Sequence, residues 1–579
     1  MMQTIRCEID DGIATLTLDA PGSAVNTMTA QWQADLAQAV AWLEAEKARI
    51  RGVLLTSAKT TFFAGAQLTH LLTLKAEDAG PGFHEIEAMK KCFRRLETLG
   101  RPVVALLAGA ALGGGWELAL AAHARFALDD RRIRFGTPEV TLGLIPGATG
   151  ITKTVRLLGL TAAQPYLLEG KLFDPREALA LGLVQGLGES VENLRGQALA
   201  WIADHPDAIQ PWDHKDHRLP GGTPDHPKIA AGLAVAPAML YAKTRGLYPA
   251  AQAILETMVE GARVDYDTAT RIESRKLAKI MVGQNAKNMI SAFFFNLNAI
   301  KAGQSRPVGF PRWKPTKVGV RDAGPVGAGI TQVNATCGIP SADVDLEGCD
   351  LIIEPGASTS TPSTGGLVRA RVAPDRSVGL HFFAPVHEAK LVEIVRGAQT
   401  DDETVARLYD YVLAIGKMPI VVKDSPGFFT SRVFASFVAE GAAMLDEGIA
   451  APLIEHAALA VGMPAGPLAS LDKTSRAPAV PAVDRPRADL AELGRRFLYR
   501  QAIETARCLA EGVLASVPEA NIGSIFGIGF PAWTGGAFQF IASEGLERFE
   551  ANAAVLAGRH GAGFALSAAV REGIRRHLG

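Results

Sequence analysis

Two glycine-rich segments carry the acidic side chains best placed to do chemistry in this chain. The first runs Gly109-Ala-Ala-Leu-Gly-Gly-Gly-Trp-Glu-Leu-Ala-Leu120 and the second Gly136-Thr-Pro-Glu-Val-Thr-Leu-Gly-Leu-Ile-Pro-Gly147. Together they supply a turn that bares backbone amides and two carboxyl groups, Glu117 and Glu139. Amides aimed at a developing oxyanion, beside paired carboxyls, are what addition of water to a thioester-conjugated double bond requires. The triplet Gly113-Gly-Gly115 lets backbone approach a ligand with no Cβ between. A helix starting there would turn free amides and its positive end toward an anion. Upstream, Phe62-Phe-Ala-Gly-Ala-Gln-Leu68 is expected to end a strand and turn through Gly65, offering a second amide near Ala66. Taken singly, a glycine triplet is a loop and a lone glutamate at an apolar helix start is a cap or a solvated group. The three segments together point to a reactive site.

A second cluster lies in Gly379-Leu-His-Phe-Phe-Ala-Pro-Val386 and Lys390-Leu-Val-Glu-Ile-Val-Arg-Gly397, each in a strand-like run. A histidine oriented by a carboxylate, here His381 by Glu393, is the ordinary arrangement for taking a proton from a hydroxyl. On spacing alone, a buried structural histidine and a surface glutamate is the simpler explanation. Further upstream, Asp322-Ala-Gly-Pro-Val-Gly-Ala-Gly329 follows the strand-like Lys317-Val-Gly-Val-Arg321 and opens a helix, the context of a dinucleotide fingerprint. Gly324, Gly327 and Gly329 are its candidate cofactor contacts. Asp322 stands where the first fingerprint glycine belongs, crowding the tight turn with a charge that repels a pyrophosphate. Only Gly338 to Gly348 separate that helix from the next strand-like run, Cys349-Asp-Leu-Ile-Ile353. That span is expected to leave no room for a second strand bearing a terminal acid about 20 residues past the glycines.

These residues need elements to hold them. Ile13-Ala-Thr-Leu-Thr-Leu18, Gly52-Val-Leu-Leu-Thr56 and Val103-Val-Ala-Leu-Leu107 read as strands, with helices over 29–45 and 85–99. That alternation predicts an α/β domain with a largely buried sheet. A Pro/Gly/His-rich patch over 213–227 reads as a surface loop, 238–302 as a helical tract, and 424 onward as helical apart from a loop-like stretch over 473–489. Within that last part, Arg432-Val-Phe, Glu440-Gly-Ala and Leu445-Asp-Glu-Gly448 return 64 residues later as Arg496-Phe-Leu, Glu504-Thr-Ala and Leu509-Ala-Glu-Gly512. Such a repeat predicts duplicated helical subdomains packed face to face.

At 579 residues the chain should form two to four domains. With 21% charged residues, a net charge of −1 and no block of one sign, nothing argues for nucleic acid or a polybasic membrane patch. The five cysteines are scattered and lack metal-type spacing, so they read as reduced core thiols with no metal site, and the protein as cytoplasmic. No signal peptide is indicated, and the longest apolar stretch, 102–116, is glycine-broken and too short for an integral membrane segment.

Phe63-Ala-Gly-Ala66, Gly109 to Ala119 and Phe135 to Gly147 resemble the enoyl-CoA hydratase (crotonase) family in order and spacing, over about residues 5–190. The resemblance implies that the Ala66 and Gly114 amides form an oxyanion hole for an acyl-CoA carbonyl. It also implies that Glu117 and Glu139 flank a water, one activating it for attack at C3 and the other protonating C2. Gln67 departs from the Asp common in the family, at a position beside the acyl pocket. The segments around His381 and Glu393, with Asp424-Ser-Pro-Gly-Phe-Phe-Thr-Ser-Arg-Val433 and Gly462-Met-Pro-Ala-Gly-Pro-Leu468, resemble the 3-hydroxyacyl-CoA dehydrogenases. This implies NAD as cofactor, His381 as base, Glu393 as its orienting partner, and Ser360 and Ser431 near the substrate hydroxyl and carbonyl. Ser431 stands where many relatives have Asn.

The order of parts is similar to the multifunctional α-subunits of fatty-acid β-oxidation over nearly the full chain, which implies assembly with a thiolase β-subunit. The expected fold is multidomain α/β. It comprises a crotonase-type spiral fold in 1–190, a helical extension and connector in 191–312, and a shortened Rossmann-like NAD-binding domain in 313–423. A duplicated all-α C-terminal region, 424–472 and 490–579, completes it. Three readings of the shortened domain stay open. The dehydrogenase half is a non-catalytic acyl-CoA or partner-binding scaffold beside a working hydratase, or the chain lacks segments its relatives carry, or a shortened fold still binds NAD. In the first half, enoyl-CoA isomerisation is the alternative to hydration.

Overall fold

The chain opens with a hairpin set by its turn. Asp11 and Gly12, both in the left-handed region at φ 42 and 71, join Ile5–Asp10 to Ile13–Leu18 with Asp10 opposite Ile13. Asp-Gly is the pair that such a two-residue turn favours. Parallel strands Gly52–Ser57, Val103–Leu107, Ala124–Leu128 and Gly186–Gly188 extend it into a six-stranded sheet. Val103–Leu107 is buried at every residue. Val103, Ala105 and Leu107 enter one core with Trp32, Leu36 and Phe93, while Val104 and Leu106 meet Leu194, Ala198 and Ile202. A strand covered on both faces therefore reads as an unbroken apolar run.

In this computed structural model, which describes residues 2–321, 324–343, 346–355, 365–373, 376–470 and 489–578, the chain forms two units, Met1–Lys287 and Asn288–Gly579. Asp322, Ser360 and residues 473–488 lie outside the described residues. Helix Ala30–Ala45 starts where expected, capped by the Thr29 side chain on the Trp32 amide. The next helix, Ala79–Glu97, begins earlier than periodicity suggested. Pro81 lies in its first turn, where a missing N–H costs nothing. The helical tract likewise begins early, with Pro227–Thr244 ahead of Pro249–Gly261 and Tyr266–Met281. All five cysteines are free, and among the described residues no helix is long and apolar enough to cross a membrane and no group of acidic, His or Cys side chains could hold a metal ion.

The second unit holds a seven-stranded sheet. Val318–Val320 lies between Ser341–Ala342 and Leu351–Pro355, parallel to both. Gly365–Ala373, Arg376–Phe383 and Leu391–Arg396 follow as an antiparallel meander, and Met418–Lys423 closes the sheet in parallel. The second strand, for which the sequence seemed to leave no room, is present as two residues. It fits because Gly338, at φ 68, turns the chain back directly after helix Gly324–Thr336. The Asn334 side chain then donates to Ser341 Oγ at 3.0 Å.

The sequence repeat becomes a reciprocal clamp between helices Thr430–Asp446 and Leu490–Ala510. Arg496 reaches Glu440 and Glu447, each at 2.6 Å, and Arg432 reaches Glu504 and Glu511, each at 2.5 Å. Each arginine of one repeat is held by both glutamates of the other. The clamps differ in depth: the Arg496 and Glu440 side chains are 1% and 4% exposed, those of Arg432 and Glu511 24% and 53%. Removing one partner of a buried pair strands the other charge. Arg496→Ala should therefore cost ~3–5 kcal/mol in chemical denaturation followed by circular dichroism. Arg432→Ala should cost about 1 kcal/mol, and equal losses would contradict this ranking.

Candidate active sites

The loop through Gly65 does not end a strand, contrary to expectation. Single bridges pin it, Phe63 to Ala111 and Met28 to Ala66, because each side finds only one residue in register with its neighbour. Gly65, at φ 93, presses on the glycine turn: a Cβ there would stand 3.1 Å from the Leu112 carbonyl and 3.8 Å from Gly114 N. Ala111–Leu112 pairs in parallel with Phe135–Gly136, and Gly113 N donates to Gly136 O at 2.8 Å. This short ladder zips the two segments together and delivers Glu139 to the glycine turn. A Cβ on Gly113, at φ 55, would meet Glu139 Oε1 at 2.6 Å. Helix Gly114–Ala119 starts immediately after. Among the described residues neither the Ala66 nor the Gly114 amide donates to a protein acceptor, so both are free for an oxyanion.

The two acids beside this turn are unequal. Glu117 is buried, and its Oε1 accepts the Ala148 amide at 2.7 Å and the Gly150 amide at 2.6 Å. Burial, then the negative charge of Glu273, push its carboxyl up to about 7. Glu139 lies in the short helix Pro138–Leu142 and is half-buried as a residue, yet its Oε2 is sealed from solvent and meets no donor. Burial and then the Glu117 charge hold its carboxyl well above the usual range. Two amide donors favour the ionised form of Glu117, while Glu139 Oε2 has none and burial favours its protonated form. Environments that separate two carboxyls in this way separate a base from an acid.

In the second unit, His381 and Glu393 stand directly opposite each other on antiparallel neighbours. His381 Nδ1 lies 2.6 Å from Glu393 Oε2, and both side chains are buried. Glu393 is thus not a surface residue. Its carboxylate also accepts the Thr430 amide at 3.0 Å and the Thr430 hydroxyl at 2.8 Å. A carboxylate on Nδ1 makes that nitrogen the donor and leaves Nε2 to accept. His381 Nε2 and Ser431 Oγ are both buried and without a partner among the described residues, as reactive atoms awaiting a substrate would be.

The fingerprint helix Gly324–Thr336 starts at Gly324, φ 55, with no acid in its first turn. Gly327 is buried, and a Cβ on Gly329 would come 2.7 Å from Val386 Cβ, so the helix packs closely there. Asp343, exposed, follows the two-residue strand, 19 residues beyond Gly324. That is where an acid meets the ribose in a dinucleotide fold. Sequence reasoning missed it because so short a strand leaves no β-pattern, although the residue count alone pointed there. A glycine turn, a helix start and this acid form a donor and acceptor set that fits NAD.

Residues 8–210 match the family model described as enoyl-CoA hydratase/isomerase. Residues 352–425 match 3-hydroxyacyl-CoA dehydrogenase, NAD binding domain, and 427–480 its C-terminal domain. The chain thus carries a region that matches enoyl-CoA hydratase/isomerase, followed by regions that match the two domains of 3-hydroxyacyl-CoA dehydrogenase. The fatty acid oxidation complex subunit alpha of Shewanella sp. (strain MR-4) is 27% identical over 686 positions, covering 94% of this chain and 95% of that protein. The same-named protein of Shewanella putrefaciens (strain CN-32) is 28% identical, over 92% and 93%. A solved enoyl-CoA hydratase of Bacillus anthracis is 25% identical, with TM-score 0.32, over 50% of this chain and 96% of that one. The 686 aligned positions outnumber the 579 residues of this chain, so the relative carries segments with no counterpart here. The dehydrogenase match begins at residue 352, beyond the fingerprint helix.

The tightest constraint in the hydratase half is Gly113. Gly113→Ala places a methyl against Glu139 and strains the turn. Steady-state hydration of a short enoyl-CoA should fall ~10²-fold or more with the melting temperature little changed, and retained activity would remove Glu139 from this site.

Proposed function

We propose that this chain hydrates trans-2-enoyl-CoA to 3-hydroxyacyl-CoA and then oxidises that product to 3-ketoacyl-CoA, two consecutive steps of fatty-acid β-oxidation. The inequality of Glu117 and Glu139 carries the first step. The Ala66 and Gly114 amides receive the thioester oxygen as it gains charge. Glu117 takes a proton from water as the hydroxyl adds to C3, and Glu139 gives its proton to C2. Isomerisation requires one acid to move one proton, whereas two acids of opposite protonation suit addition of water.

In the second step His381 Nε2 takes the proton of the substrate hydroxyl, and Glu393 stabilises the imidazolium through Nδ1. The Ser431 hydroxyl, buried without a partner among the described residues, would donate to the oxygen that becomes the ketone, and family resemblance assigns Ser360 alongside it. NAD, when bound, accepts the hydride from C3. Gly324 would hold its phosphates at the helix start, Gly327 and Gly329 would keep the helix closely packed behind it, and Asp343 would hold its ribose. The relatives' name supports assembly as the α-subunit of a complex, and the family resemblance alone suggests a thiolase β-subunit as its partner. Five free cysteines fit a cytoplasmic, reducing setting. The segments absent relative to the Shewanella proteins favour a second reading, in which the C-terminal half binds acyl-CoA or a partner without catalysis.

One assay separates these readings. With crotonyl-CoA the protein should consume the enoyl thioester's ultraviolet absorbance unaided, and with NAD it should also form NADH. His381→Gln should abolish NADH formation and spare hydration; Glu139→Gln should abolish hydration and spare oxidation of added 3-hydroxybutyryl-CoA. No saturable NAD binding by calorimetry would leave only the scaffold reading. The sign of the pH dependence follows from Glu117, which must be ionised to act as base. Hydration kcat/KM should therefore fall with unit slope as pH drops below about 7. A flat profile through that range would remove Glu117 as the base.

A further inference from the structure

Helix Tyr266–Met281 lies beyond the hydratase match, which ends at residue 210, yet it sends a carboxylate to the hydration site. Glu273 is fully buried. Its Oε1 accepts the Thr149 amide at 2.8 Å, and its Oε2 accepts the Thr152 amide at 2.9 Å and the Thr152 hydroxyl at 2.7 Å. From the same turn, the Ala148 and Gly150 amides go to Glu117. Donors therefore alternate along the chain: 148 to Glu117, 149 to Glu273, 150 to Glu117, 152 to Glu273. Thr149 sits between them at φ 86, a conformation a β-branched residue resists and one that aims neighbouring amides to opposite sides. Surrounding contacts must hold such a residue in place, and here the two carboxylates do so.

We propose that Glu273 is a positioning residue for hydration: by accepting the Thr149 and Thr152 donors it fixes the turn whose Ala148 and Gly150 amides aim Glu117. This rests on the reading of Glu117 as the base. Several other titratable groups face the pair, among them Arg156 and Tyr266 on the Glu273 side. Glu139 lies on the substrate side. Lys90 donates to the Thr270 carbonyl at 2.6 Å, Lys153 pairs with Glu97 at 2.5 Å, and Glu87 accepts the Ser274 hydroxyl at 2.5 Å. Burial holds both lysines below their usual range, so the two acids are incompletely offset. Burial first, and then the charge of Glu273, keep the Glu117 carboxyl high.

The test is the pH profile of crotonyl-CoA hydration by the full chain without NAD. Glu273→Gln should lower kcat roughly tenfold, leave KM within about twofold, and move the acid limb to lower pH, since Glu117 loses a like-charged neighbour. A merely structural role would lower the folded fraction and leave the limb in place. If Glu117→Gln hydrates normally, the underlying reading of the base falls. If Glu117→Gln is inactive while folded Glu273→Gln keeps the wild-type kcat and acid limb, the positioning role alone falls. Should Glu273→Gln not fold, Thr152→Val decides, because it deletes only a hydroxyl donor to Glu273. A severalfold lower kcat with a displaced acid limb supports the role, and an unchanged profile overturns it.

Discussion

A buried carboxylate must be given hydrogen-bond donors, and this protein takes them from the starts of helices. Glu117 and Glu273 both draw on the turn that opens helix Gly150–Ala162, and Glu393 draws on Thr430 at the start of Thr430–Asp446. The physical reason is common to all three. A helix start has amides without partners and the positive end of its dipole, so acid and helix each satisfy what the other lacks. In each case the acid and the helix come from different parts of the chain, so the contact fixes tertiary geometry as well as charge. The reactive groups, Glu117 and His381, are thereby held at one end and left free at the other.

What the sequence disclosed was whatever depends on neighbours along the chain. The glycine turn at 113 and the strand at 103–107 follow from local pattern, because sheet alternation and glycine geometry are local properties, whereas spacing alone argued against pairing His381 with Glu393 and only the family resemblance implied it. The repeat was legible too, since Arg432, Glu440 and Glu447 return at one fixed offset. What stayed hidden depends on distant segments. Glu273 lies 156 residues after Glu117 in a helix of mixed polarity, and nothing around it distinguishes it from a solvated side chain. Asp343 was masked for the opposite reason, because a two-residue strand is too short to show alternation.

The shortened nucleotide domain illustrates what a Rossmann-like sheet can lose. The strand pair nearest the fingerprint remains parallel, with Val318–Gly319 against Ser341–Ala342, while the described residues between Ala342 and Leu351 form no helix. The antiparallel meander after Leu351–Pro355 still brings His381 across from Glu393. The acid–base pair depends on register between two adjacent strands. Its geometry therefore does not require the segments that the longer relatives carry.

Three consecutive residues show how the duplicated helices and the chemistry became one structure. Thr430 donates its amide and hydroxyl to Glu393, Ser431 keeps a buried hydroxyl without a partner among the described residues, and Arg432 crosses to Glu504 and Glu511 of the other repeat. At the same offset the second repeat has Gly494, Arg495 and Arg496. Only the arginine persists, and it answers the first clamp by gripping Glu440 and Glu447. Both copies thus retain the group that binds them together, while one alone carries groups directed at the reactive pair. Because Thr430 and Arg432 sit two residues apart near one helix start, rotating that helix would release Glu393 and the clamp together. The ion pairs between repeats therefore bear on the geometry of the acid–base pair, although none of them touches it.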